Sequence, residues 1–105
     1  MAAHFDIRIF TNKMIITNPQ SGQSIARMAA RPFSSSRLLI GDLDAAEQLL
    51  GSILKEMDGW RRFFRASITA TIQPMEQSDG GLSAVETQIL CDLGVRLGFT
   101  QVDIV

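Results

Sequence analysis

The chain has 105 residues, ten Lys and Arg against eleven Asp and Glu, a formal net charge of -1, and 46% hydrophobic residues. A chain of this size closes one hydrophobic core and not two, so residues 1–105 read as a single soluble domain, and a cleft between two large lobes would need a second chain. The near-neutral charge supplies no general attraction for nucleic acid, the single Cys excludes a disulfide framework and suits a reducing compartment, and the lone His excludes metal sites built from two or three imidazoles.

Apolar and polar residues alternate from Phe5 to Phe10, with Phe5, Ile7 and Ile9 on one face and Asp6, Arg8 and Phe10 on the other. This predicts a strand with one buried face. His4, Asp6 and Arg8 also interrupt the stretch where a secretory signal would be continuously apolar, so cytoplasmic residence is expected. The apolar stretches are all too short to cross a bilayer. After the polar break Thr11-Asn12-Lys13, the β-branched run from Met14 to Thr17 predicts a second strand. Asn18-Pro19-Gln20-Ser21-Gly22 carries turn chemistry, and Gln23 to Ala29 returns as a third strand. Ala30 to Gly41 reads as a connection that docks Leu38, Leu39 and Ile40.

Asp42 to Asp58 has helical periodicity: Leu43, Ala46, Leu50, Ile53, Leu54 and Met57 form one stripe. Asp44 with Glu47 fits a capping box, and Gly59 stands where a left-handed C-cap is expected. Ala66 to Ile72 carries no charge and predicts a central strand covered on both faces. A loop over Gln73 to Gly81 follows. Ser83 with Glu86 opens a second helix, in which Val85, Ile89, Leu93 and Leu97 form an i, i+4 stripe ending near Gly98. Val102 to Val105 closes the chain as a short strand. The order βββαβαβ makes an α/β mixed sheet with two helices, its fourth and fifth strands parallel.

Few residues here carry chemistry. There is no Gly-x-x-x-x-Gly-Lys loop and no Gly-x-Gly-x-x-Gly turn, and Gly80-Gly81 reads as a turn. His4 is expected to be a solvated or strand-edge histidine rather than a catalytic base. Ser34, Ser35 and Ser36 suit a polar crossover loop, Cys91 a small half-buried position within a helix, and Asp42 and Asp44 a helix start. A metal-dependent enzyme would need carboxylates gathered at strand ends, yet Asp6 is the one acidic residue of the first strand and the fourth has none.

The segment Ile40-Gly41-Asp42-Leu43 running into Ala46 and Leu50, then Ala66 to Pro74, and then Gly81 to Val105 resembles the first subdomain of MreB, the bacterial actin-like rod-shape protein. The telling stretch is the last: Ser83 to Glu86, the helix to Gly98, and the closing Gln101-Val102-Asp103-Ile104-Val105. The N-terminal meander agrees in element order rather than in residues. The resemblance implies an RNase H-like, actin-like fold. It also implies an ATP site between two lobes, in which a glycine of the first hairpin brings backbone amides up to the phosphates. Between Asp6 and Gly22 this chain has no glycine, and the later lobe that completes the family's nucleotide site does not follow Val105. The expectation is therefore a protein without enzymatic activity and without cofactor or metal, alternative to a small RNase H-like metal-dependent or nucleotide-binding enzyme.

One local constellation stands out. Trp60-Arg61-Arg62-Phe63-Phe64-Arg65 sets three large aromatics among three arginines. Nine basic residues face six acidic ones up to Arg65, against one and five after it, so positive charge gathers toward this segment. In the MreB family the loop at this place is hydrophobic and touches the cytoplasmic membrane, which implies Trp60, Phe63 and Phe64 as inserting residues. Aromatics with arginine also dominate protein-binding hot spots, and the same rings can fold back onto the sheet. The partners expected are therefore a protein, either a second copy or a cell-shape filament, and the inner membrane surface, without nucleic acid.

Overall fold

The computed structural model describes residues 3–35, 39–57, 68–76 and 84–105. The elements follow the expected order: β1 (Ala3–Phe10), β2 (Lys13–Asn18), β3 (Gln23–Met28), α1 (Leu43–Glu56), β4 (Ile68–Pro74), α2 (Ala84–Arg96) and β5 (Gln101–Ile104). The five strands form one mixed sheet in the order β3-β2-β1-β4-β5. The first three pair antiparallel through two tight turns. β4 lies parallel to β1, with Ala3 opposite Ile68, and β5 lies parallel to β4.

Alternation along the strands builds the core on one face. Phe5, Ile7 and Ile9 of β1, Met14 and Ile16 of β2, and Ile68, Ala70 and Ile72 of β4 are all buried there. α1 covers them with Ala46, Leu50, Ile53 and Leu54, and α2 with Leu90 and Leu93. Each of the larger side chains, Phe, Ile, Leu or Met, contributes roughly 1.5–3 kcal/mol on leaving water. Phe99 completes the layer by meeting Phe5 edge to face at 6.2 Å.

The start of α1 and the ends of both helices are set by local chemistry, and some depart from expectation. The cap of α1 is Asp42, whose carboxylate accepts the N–H of Ala45 at 3.0 Å. Asp44 and Glu47 form no capping box; both instead bind the Arg96 guanidinium, at 2.8 and 3.2 Å, and tie α1 to α2. α1 ends at Glu56, where Met57 leaves helical geometry and donates back to the Leu54 carbonyl; Gly59, the expected cap, lies outside the described residues. α2 ends as predicted: Gly98 takes φ +89, its N–H reaches the Val95 carbonyl, and Phe99 N–H reaches that of Gly94. This pair of hydrogen bonds is the Schellman closure.

Two predicted faces need correction. The i, i+4 stripe of α2 does not all point inward: Leu90, Leu93 and Gly94 are buried, whereas Val85 is 65% exposed. A four-residue step overshoots one turn by about 40°, so a ladder of such steps winds off the buried face. β4, expected to be covered on both faces, is packed by the described helices on one only. Ile68, Ala70 and Ile72 are buried while Thr69 and Thr71 remain half-exposed, because the buried residues of α1 and α2 join the same side of the sheet.

Candidate functional site

The outward residues of the strands form an open face that no described helix covers. β1 supplies His4, Asp6, Arg8 and Phe10, and the register places partners beside each. His4 lies on the middle strand rather than an edge, with its side chain partly exposed, as the solvated alternative expected. Its Nδ1 is 2.8 Å from Thr69 Oγ1 and its Nε2 2.9 Å from Thr71 Oγ1, so both ring nitrogens are occupied. Asp6 Oδ1 lies 3.3 Å from Nε2. Asp6 and Asp103 flank Thr71 in one row across the strands. Arg8 is exposed in the next row, beside Ile15, and has no ion-pair partner among the described residues. One row further, the Lys13 ammonium sits 4.4 Å above the Phe10 ring. Among the described residues, no three His, Cys, Asp or Glu side chains stand close enough to hold a metal ion.

The β1–β2 turn lies at the end of this face, at the hairpin that the MreB resemblance makes the phosphate loop. Its amides are already engaged. Thr11 N–H donates to Glu76 Oε2 at 2.7 Å, and Asn12 N–H donates to Ser34 Oγ at 3.0 Å. The bond from the Thr11 hydroxyl, then that from its amide, holds the Glu76 carboxyl below its usual range. Asn12 adopts φ +53, and its Oδ1 accepts the N–H groups of Phe33 and Ser34. Ser34 in turn donates to the Leu39 carbonyl. Its hydroxyl is thus a structural brace of the crossover that carries Phe33, Leu39 and Ile40 into the core.

A second concave surface runs between β3 and α1. Arg27 binds Glu56 across it and Arg31 binds Asp42 at 3.4 Å. The Arg27 hydrogen bond holds the Glu56 carboxyl below its ordinary value, and the Ala45 amide, with Arg31 adding to it, does the same for Asp42. Cys91 is half-buried on α2. Trp60, Arg61, Arg62, Phe63, Phe64 and Arg65, together with Ser36, Gly80, Gly81 and Ser83, lie outside the described residues. Sequence reasoning missed the Thr69–His4–Thr71 arrangement, because its members stand 65 and 67 positions apart. The alternation of β1 nonetheless gave the outward direction of its residues.

No described helix is long and apolar enough to cross a membrane. No protein-family model matches the chain. It is 31% identical over 88 residues to the uncharacterized protein YjaA of Escherichia coli, a match covering 80% of this chain and 68% of that protein. Among solved structures, the AMPPNP-bound crystal structure of MreB 5 of Spiroplasma citri aligns with 99% of the chain at a TM-score of 0.64 and 14% sequence identity. The chain spans 38% of the length of that MreB. The likeness shows an actin-like fold, as the sequence resemblance implied, and at this identity it extends to the fold alone.

Proposed function

The chain belongs to the family of the Escherichia coli protein YjaA, and from that premise and its actin-like fold we propose that it is a non-catalytic interaction protein, an actin-like domain that docks on another protein. The observation that carries this reading is the β1–β2 turn. A phosphate-binding turn needs free, converging amides and room for an anion. Here the amides of Thr11 and Asn12 are bonded within the chain, the first to the Glu76 carboxylate and the second to the Ser34 hydroxyl. The domain keeps the framework of an actin-like fold while its first hairpin serves as a structural clasp.

The first partner to test is an actin-like cell-shape filament, and the second is the anionic membrane surface, for which Trp60, Phe63 and Phe64 supply the composition. Titration with a fluorescent ATP analogue and magnesium is expected to give no saturable signal, and a phosphate-release assay no turnover. Micromolar affinity or measurable hydrolysis overturns the reading, as does metal-dependent nuclease activity. Co-sedimentation with MreB filaments, and with vesicles containing phosphatidylglycerol, identifies the partner. Loss of vesicle binding in a Trp60→Ala, Phe63→Ala, Phe64→Ala triple variant assigns the membrane contact to that segment.

A further inference from the structure

The open face of the sheet is sorted by charge along the strand direction. Asp6 and Asp103 share one row, Arg8 stands in the next and Lys13 in the row beyond. Asp6 is 48% exposed and Arg8 is exposed, so both can meet a partner. Such a face is complementary to itself in one orientation. Take a two-fold axis in the plane of contact, perpendicular to the strands, passing between the Asp6 and Arg8 rows. It sets Arg8 of each copy over Asp6 of the other, Phe10 over His4, and Ile15 over Thr17. An axis along the strands instead lays Arg8 over Arg8 and Asp6 over Asp6. Only the first arrangement joins opposite charges, and it does so twice, as an isologous interface requires.

We propose that the open face binds a second copy of this chain, sheet against sheet, with β1 antiparallel over β1. This deepens the interaction reading above and rests on it in one respect, that this face is a docking surface. Two sheets stack about 10 Å apart, and five strands at about 4.8 Å spacing by six residues of about 3.3 Å each offer a footprint of about 500 Å² per copy. The resulting total of about 1,000 Å² lies at the low end for specific complexes. The dimer is therefore weak and salt-sensitive, with its orientation fixed by the Arg8–Asp6 pairs.

Sedimentation equilibrium of the full chain, at low and high salt, tests the proposal. The wild type is expected to dimerise at low salt and to dissociate as salt rises. Arg8→Glu and Asp6→Lys place like charges over one another and are each expected to weaken self-association at least about tenfold. An equimolar mixture of the two variants restores opposite charges at both contacts and is expected to recover a mixed dimer. Circular dichroism of each variant verifies that the fold is kept. A wild type that stays monomeric at low salt overturns the proposal, as does an Arg8→Glu variant that dimerises like wild type, or a mixture that recovers nothing. A monomeric chain that still co-sediments with filaments sinks the dimer and leaves the interaction reading standing. A dimer that also binds ATP does the reverse.

Discussion

Asn12 shows how much of this fold rests on one side chain. It adopts a left-handed backbone that asparagine tolerates better than other non-glycine residues. From there its carboxamide oxygen receives two amides of the crossover, its own N–H reaches Ser34, and its carbonyl receives the N–H of Ala29. Asn12→Ala deletes two acceptor bonds and adds left-handed strain, and is expected to cost about 2–4 kcal/mol. Asn12→Gly loses the same bonds without the strain and should fall between alanine and wild type. Asn12→Asp keeps the acceptor and should cost least. Urea midpoints rank the three, and equal losses for Ala and Asp would remove the carboxamide from its assigned role.

At the scale of elements, the end of α2 sets where β5 begins. Gly98 holds φ +89, and a methyl added there would have nothing within 4 Å, so Gly98→Ala is expected to cost only the left-handed penalty, about 1–2 kcal/mol. Gly94 is different, because a methyl there would overlap the Val102 side chain, and Gly94→Ala must push α2 away from β5. Thermal melts should place Gly94→Ala below Gly98→Ala; the reverse order would contradict this close approach. Local signals made much of this readable in the sequence. The alternation of Phe5, Ile7 and Ile9 named the buried face of β1, and Gly98 the stop of α2. What escaped was set by distant partners: Asp44 and Glu47 face Arg96 rather than their own helix start, and Val85 falls off a face that Leu90 and Gly94 define. The candidate contact residues Trp60 to Arg65 came from composition, while the charge sorting of the open face needed the strand register.

Across the whole molecule, three carboxylates fasten separate joints. Asp42 caps α1 and meets Arg31, Glu56 joins the end of α1 to Arg27 of β3, and Glu76 joins the end of β4 to the β1–β2 turn. All three are held below their ordinary values. The folded state thus binds protons less readily than the unfolded chain, and the stability they contribute is complete above the unfolded carboxylate range and is lost as pH falls through the lowered values. The urea midpoint should stay level from neutral pH to about 5 and decline below about 4. Glu56→Gln and Glu76→Gln should each flatten that decline, and an unchanged acid profile in both would remove these joints from acid unfolding. The sheet order carries a consequence for synthesis. β1 emerges first yet sits in the middle, and its second neighbour, β4, begins with Ile68 opposite Ala3. A nascent chain can form the β1–β2–β3 meander early, but one flank of β1 stays an unpaired, Ile-rich edge until β4, from Ile68 onward, has been translated. The risk of aggregation is thus concentrated before β4 leaves the ribosome, and a holding chaperone that shields Phe5 to Ile9 in that interval should raise the yield of folded protein.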